Sequence, residues 1–286
     1  MEENVAMLSN YEFNLSDFAL FLSVMKNPRA YRNVLSIFLE EPDIELTEVK
    51  VEQVVLNKSG KRAIRLDAWA KSTDDRRFNM EMQNDTSKDD VRKRSRYYQG
   101  LLDSPILKSG KETRYKYLPS TVIIFITQED IFGMDRAQYT FSEQCEEISG
   151  LKLDDGTKKI FFNLTSKNGS QELISLLQYI KRTDIQNPDI TVKDERILEL
   201  DDIVQEVKAS EEWEAVKMSI LEIGIEKGTE IGIQRGLQQG LQQGLQQKLR
   251  EQVEKKLKKG LSVVEIADML EEDEAVIEQI VKEIRE

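Results

Sequence analysis

Two short segments joined by a turn place the strongest constraint on this chain. Residues 64–70 and 77–83 alternate side chains between two faces, as β-strands do, and Ser72–Asp75 between them has the composition of a turn. A hairpin centred on Asp74 places Asp67 opposite Glu81, because both lie seven residues from that centre. The Cβ atoms of directly opposed residues lie about 5 Å apart. The pattern therefore predicts two carboxylates side by side on one face of a sheet.

The segments around this hairpin predict an α/β fold. Thr121–Thr127 is a continuous apolar run, which is typical of a strand buried on both faces. The other expected strands are 44–56 and 159–164, and the expected helices are 15–26, Pro28 to about Glu40, 87–103, 170–182 and 196–222. This order is typical of a mixed sheet with helices packed against it.

The composition limits the chemistry that the chain can perform. Its 286 residues include no His and one Cys, which excludes imidazole catalysis, histidine metal sites and structural disulfides. Carboxylates at the predicted spacing repel each other unless one takes a proton or a divalent cation binds both. A solvated sheet face with scattered polar groups is the alternative interpretation of the same alternation.

One segment of this acidic chain is locally basic. The net charge is −12, yet residues 86–117 carry nine Lys or Arg and four Asp or Glu. Such a surface is compatible with a polyanionic partner, and also with an ordinary solvated helix face.

The C-terminal part has a different character. Glycine recurs every four residues at Gly224, Gly228, Gly232, Gly236, Gly240 and Gly244. Six glycines cost a helix about 6 kcal/mol relative to alanine, so we expect either close packing against the glycines or a partly helical tether. A helix over 246–259 is expected to end at Gly260, and Ser262 then opens two short helices. These resemble a helix-turn-helix, but residues 271–286 carry seven acids and two bases, which favours a protein partner over DNA.

The sequence predicts a cytoplasmic protein without a membrane segment. The start of the chain, Met1–Asn4, is acidic and has no basic n-region. The apolar run Val122–Ile126 is far too short to cross a bilayer.

An ordered set of segments resembles a known family. The segments are Asp17–Phe21, Val24–Pro28, Ile64–Ala70, Phe78–Gln83, Arg94–Gln99 and Pro119–Thr127. Together they are similar to the PD-(D/E)XK nuclease family of transposases, the group that includes bacterial recombination-promoting nucleases. The resemblance covers about residues 10–200. It implies an α/β, restriction-endonuclease-like mixed sheet flanked by helices, followed by an all-helical C-terminal extension.

The resemblance also implies a site. Asp67 matches the metal-binding Asp of the family and Glu81 the acid of its second strand, with Mg²⁺ or Mn²⁺ as the cofactor. Gln83 stands where the wider superfamily has Lys, and completes the expected catalytic set; Leu66 replaces the name-giving Pro. Asp17 matches an acid of the first helix that can reach the metal, although an Asp at this position is also an ordinary helix cap.

The implied activity is metal-dependent hydrolysis of DNA by an endonuclease. The residues expected to contact DNA are Arg92, Lys93, Arg94, Arg96, Tyr97 and Tyr98. The expected division is a nuclease-like domain at 1–200, a Gly/Gln-rich linker or oligomerisation segment at 201–249, and a helical tail at 250–286 that contributes to a homo-oligomer. The competing hypothesis is a weak or inactive nuclease fold that acts in binding and assembly, because Gln cannot supply the charge of Lys.

Overall fold

The computed structural model describes residues 11–55, 63–87, 89–107 and 114–285. The chain divides after Lys217 into two compact units. Among the described residues, no helix combines the length and the apolar composition needed to cross a membrane.

The first unit alternates helices and strands. Its helices are α1 (Phe18–Met25), α2 (Pro28–Phe38), α3 (Val91–Asp103), α4 (Gln171–Lys181) and α5 (Glu195–Lys208). Its strands are β1 (Leu46–Val55), β2 (Ile64–Ser72), β3 (Arg77–Gln83), β4 (Thr121–Thr127), β5 (Gln138–Phe141) and β6 (Thr157–Asn163). A long helix, α6 (Glu211–Leu257), contains the boundary between the units.

Polar side chains fix where the helices begin. Asn27 accepts a hydrogen bond from the backbone N–H of Arg29, with Pro28 as the first helical residue, as the sequence predicts. Asp90 accepts from the N–H groups of Arg92 and Lys93. The third helix therefore begins at Val91, and the expected start at residue 87 is wrong.

The described strands form one mixed six-stranded sheet in the order β1-β2-β3-β4-β6-β5. The β2–β3 hairpin is antiparallel, and its register pairs Ala68 with Met80 and Lys71 with Arg77. This is the register predicted for a hairpin centred on Asp74. Strand β4 pairs in parallel with both β3 and β6 and is buried along its whole length, as its apolar run predicts.

Helices cover both faces of this sheet. On one face, Tyr98 and Leu102 of α3 pack in an apolar cluster with Trp69, Phe125 and Phe161 of the strands. On the other face, Phe38 of α2 stacks on Phe162 with ring centroids 3.8 Å apart. The mixed α/β sheet with flanking helices and a helical C-terminal region confirms the expected fold class.

The second unit is helical. Helix α6 runs without a break through the glycine repeat. The sequence left two possibilities for this segment, a closely packed helix or a partly helical tether. A Cβ atom added at Gly232, Gly236, Gly240 or Gly244 would meet no described atom within 4 Å, so none of these four glycines packs closely against the described residues of the second unit.

The end of α6 packs against two short helices, α7 (Val263–Leu270) and α8 (Glu274–Arg285). Ser262 and Glu265 form the predicted capping box at the start of α7. Helix α6 ends at Leu257, and Gly260 has a φ of +84° in the turn that closes it, where its N–H donates to the Leu257 carbonyl oxygen. The buried core of this three-helix group consists of Val253, Ile266, Ala267, Ile277 and Val281.

Candidate active site

Asp67 and Glu81 meet between the two hairpin strands. The backbone N–H of Asp67 donates to Glu81 Oε1 over 3.0 Å. The N–H of Met82 donates in turn to Asp67 Oδ2 over 3.1 Å. Each carboxylate therefore accepts a backbone hydrogen bond from the opposite strand, next to the Ala68–Met80 pair. We call Asp67 and Glu81 the carboxylate pair.

Burial makes two negative charges costly at this position. Asp67 is 6% exposed and Glu81 is 1% exposed. Burial, and then the charge of Glu81, raise the pKa of Asp67 to about 8. Burial also raises the pKa of Glu81, and Arg94 opposes this rise. At neutral pH the pair therefore holds a proton or needs a positive charge beside it.

Arg94 of α3 supplies such a charge. Its Nη2 donates to Glu81 Oε2 over 2.7 Å, and its Nη1 donates to Gln83 Oε1 over 2.7 Å. Its Nε donates to the Tyr98 hydroxyl over 2.8 Å. Tyr98 follows Arg94 by one helical turn, which places both side chains on the same face of α3. Arg94 was expected to contact DNA; the structure places its guanidinium against the carboxylate pair.

Gln83 and Asn79 complete the polar surroundings. The amide nitrogen of Gln83 donates to the backbone oxygen of Asp85, so both ends of this side chain have partners. Asn79 donates to Glu81 Oε1 over 3.0 Å. Sequence reasoning gave Asn79 no role, although its position two residues before Glu81 places it on the same strand face.

An open cleft of about 1060 Å³ lies beside the pair. Asp67, Gln83 and Arg94 line it together with Arg65, and Phe18 of α1 also contributes. Three of the other residues predicted to contact DNA line the same cleft: Lys93, Arg96 and the half-exposed Tyr97. A cleft with basic walls beside two acids can hold a polyanion and expose it to those acids.

Two other residues predicted to contact DNA, Arg92 and Tyr98, are less available to a ligand in the cleft. The Arg92 side chain forms an ion pair with Asp90, 3.0 Å away, at the start of α3. Tyr98 lines the cleft but is only 6% exposed, and packs in the core beneath it. Burial, and then the charge of Glu81, raise its pKa to about 12, so Tyr98 stays protonated at neutral pH.

The structure does not bring Asp17 to the carboxylate pair. Its carboxylate accepts hydrogen bonds from the Tyr11 hydroxyl and from the Asn14 backbone N–H. Within the described residues, no three acidic or cysteine side chains form a group that could hold a metal ion. In this structure Asp17 bonds to the segment that precedes α1, and its expected role in holding the metal stays a prediction.

The carboxylate pair fits a hard divalent cation by its chemistry. Such ions take carboxylate oxygens, and Mg²⁺ in particular is often held by one or two carboxylates and keeps several waters. Asp67 lines the cleft, and its Oδ2 is the oxygen that accepts the Met82 N–H, which makes Oδ1 the first candidate ligand atom. Glu81 Oε2 is the second candidate ligand atom, and Arg94 holds it. The residues present therefore suit one such ion, with water or substrate as its other ligands.

Comparisons with known proteins address the family directly. Neither the curated proteins nor the solved structures contain a match to this chain. The model of the PD-(D/E)XK nuclease family transposase matches residues 17–224, which include the whole sheet, the carboxylate pair and the cleft. The chain belongs to the PD-(D/E)XK nuclease family of transposases.

Proposed function

We propose that this protein is a metal-dependent endonuclease that hydrolyses phosphodiester bonds in DNA. The observation that carries the proposal is the burial of Asp67 beside Glu81 at a cleft with basic walls. Asp67 and Glu81 would hold Mg²⁺ or Mn²⁺. When bound, such an ion lowers the pKa of a water ligand and neutralises charge on the phosphate.

The side chains around the pair have separate tasks in this proposal. Lys93 and Arg96 line the cleft and attract the phosphate backbone, with Arg65 beside them. Arg92 makes a weaker contribution because Asp90 already pairs with it. Tyr97 contacts a sugar or a base, and the buried Tyr98 supports Arg94 instead of contacting DNA.

Gln83 orients the attacking water in this proposal. Its Oε1 accepts one hydrogen bond from Arg94, and an amide oxygen has a second lone pair that can accept from water. Gln83 carries no charge, so it cannot neutralise a developing negative charge as Lys does.

A second candidate function is binding and assembly without catalysis. Two observations favour it: Gln83 replaces the superfamily Lys, and Arg94 occupies the Glu81 oxygen that a metal would need. Purified protein incubated with plasmid DNA separates the two functions. Cleavage that requires Mg²⁺ or Mn²⁺ and stops with EDTA supports the nuclease; intact plasmid in all conditions, with DNA retained in a binding assay, supports the second candidate.

We also propose that the second unit joins copies of this chain into a homo-oligomer. Leu237, Leu241 and Leu245 are 70%, 66% and 59% exposed on α6. Residues 231–247 contain one charged residue, Arg235, so this segment offers little charge to attract an oppositely charged partner. A second copy would cover the leucines and could approach closely at the glycines, which would offset their propensity cost.

A further inference from the structure

Arg94 differs from its neighbours on α3 in where its charge lies. Its side chain is 23% exposed, whereas those of Arg92 and Lys93 are 61% and 78% exposed. A cation surrounded by protein interacts with nearby charges more strongly than one in water. Arg94 therefore acts on the carboxylate pair in a way that the other basic residues of the helix do not.

The guanidinium of Arg94 is fixed from several sides. Three of its five N–H groups donate to Glu81, Gln83 and the Tyr98 hydroxyl over 2.7–2.8 Å. Its central carbon lies 5.0 Å from the centroid of the Tyr98 ring and 5.6 Å from that of Phe125. Aromatic faces attract cations at these distances. The structure thus builds a defined position for one positive charge beside Glu81.

The Glu81 oxygen that Arg94 holds is the one a metal ion needs. Glu81 Oε1 already accepts from the Asp67 backbone and from Asn79, which fixes it between the strands. Oε2 accepts from Arg94. A divalent cation that bridges Asp67 and Glu81 would have to take Oε2, and would lie next to a guanidinium of the same sign.

We propose that Arg94 is the internal counter-ion of the carboxylate pair and that it competes with divalent metal for Glu81 Oε2. The inference rests on the metal site in the proposed function, but it does not require that DNA is cleaved. In the metal-free protein Arg94 stabilises the charged pair. A metal ion held by both carboxylates would displace that contact, so Arg94 lowers the affinity of the site for divalent cations.

Calorimetric titration of Ca²⁺ and Mg²⁺ into the full-length protein at pH 8.5 tests this competition. Arg94→Gln removes the competing charge, so we expect its Kd to fall about tenfold or more below that of the unmodified protein. Arg94→Lys keeps the charge but cannot make the forked contact. Its Kd should therefore lie between the Kd of Arg94→Gln and that of the unmodified protein. Arg182→Gln removes a charge that is 64% exposed and pairs with Asp184, and it should leave the Kd unchanged.

The direction of the effect separates competition from a merely structural role. If Arg94 only held the site in shape, Arg94→Gln would weaken metal binding or leave it unchanged, and either result would overturn the inference. Circular dichroism checks the fold of each variant. Should Arg94→Gln fail to fold, Arg94→Lys decides: tighter binding than the unmodified protein supports competition, and equal or weaker binding overturns it.

Plasmid cleavage by the unmodified protein, measured in parallel, distinguishes this inference from the proposed function. Cleavage without any gain in affinity in the Arg94 variants overturns the inference alone. Binding by Arg94→Gln, when the unmodified protein neither binds metal nor cleaves, supports the inference and overturns the nuclease. If no protein binds metal, the inference is overturned. The plasmid cleavage assay then tests the proposed nuclease activity independently.

Discussion

The Asp67 backbone N–H donates to the carboxylate of Glu81 across the β2–β3 hairpin, over 3.0 Å. In the opposite direction, the Met82 backbone N–H donates to Asp67 Oδ2 over 3.1 Å. Side chains of the candidate site thus join the two strands at this level of the sheet. Changes in the charge of the pair should therefore alter the stability of the fold as well as its chemistry.

The first prediction concerns pH and stability. The pKa of Asp67 is raised to about 8, so the folded state holds this proton more tightly than the unfolded state does. The resulting stabilisation is complete below the ordinary pKa and is lost as the pH rises towards 8. Asp67→Asn removes this loss. We expect the stability of this variant relative to the unmodified protein to rise by about 1–3 kcal/mol between pH 6 and pH 8.5, or roughly 2–12 °C in Tm.

Asp194→Asn is the control, because the pKa of Asp194 is shifted in the opposite direction to that of Asp67. A hydrogen bond from Arg196 lowers the pKa of Asp194, so its stabilisation is present above the ordinary pKa and is lost only in more acidic solution. This variant should melt below the unmodified protein by the same amount at pH 6 and pH 8.5. A stability difference for Asp67→Asn that is equally independent of pH would contradict the raised pKa.

The second prediction concerns the side chain at position 83. Arg94 Nη1 lies 2.7 Å from Gln83 Oε1, so Lys at this position would place a second cation against Arg94. Gln83→Lys should lower the stability by about 1–3 kcal/mol, because it removes a half-buried acceptor and adds repulsion. Gln83→Lys combined with Arg94→Gln should recover much of this loss, as measured by thermal melting in a double-mutant cycle. Additive effects would show that the two positions are not coupled.

The third prediction concerns DNA affinity. Each phosphate contact that is removed reduces the slope of log affinity against log salt by about 0.9. Lys93→Gln and Arg96→Gln should each show this reduction, because both side chains line the cleft. Arg92→Gln should show less, since Asp90 pairs with Arg92. Fluorescence anisotropy with a labelled duplex in Ca²⁺ measures the slopes, and equal slopes in all four proteins would place the DNA elsewhere.

The fourth prediction concerns assembly. Simultaneous replacement of Leu237, Leu241 and Leu245 by Glu should lower the molar mass measured by light scattering, because it places charge on the exposed apolar side chains of α6. Replacement of Gln239, Gln243 and Gln247 by Glu adds the same charge to the same helix, at positions two residues after the leucines that do not share their face. This control should keep the mass of the unmodified protein. Equal masses in all three proteins would remove the leucines from any interface.

Local patterns were sufficient to predict the centre of this site. The turn composition and the alternation around Asp74 determine the hairpin register, and that register brings Asp67 to Glu81. The position of Arg94 could not be derived in this way, because it depends on how α3 packs against β3 and β4. Strand β5 was missed since it has four residues and lies at the sheet edge without an apolar run. The sequence left a helix and a tether both open for the glycine repeat of α6, because glycine has low helix propensity.

Metal-dependent nicking of supercoiled plasmid tests the proposed nuclease most directly. We expect the unmodified protein to nick the plasmid with Mg²⁺ or Mn²⁺ and not with EDTA. Asp67→Asn and Glu81→Gln should lower the rate at least about 10²-fold, as expected when a group that stabilises the transition state is lost. Asp89→Asn, which changes another acid of the same cleft, should cleave like the unmodified protein. Nicking that continues at the same rate in the Asp67 and Glu81 variants, or in EDTA, would contradict this active site.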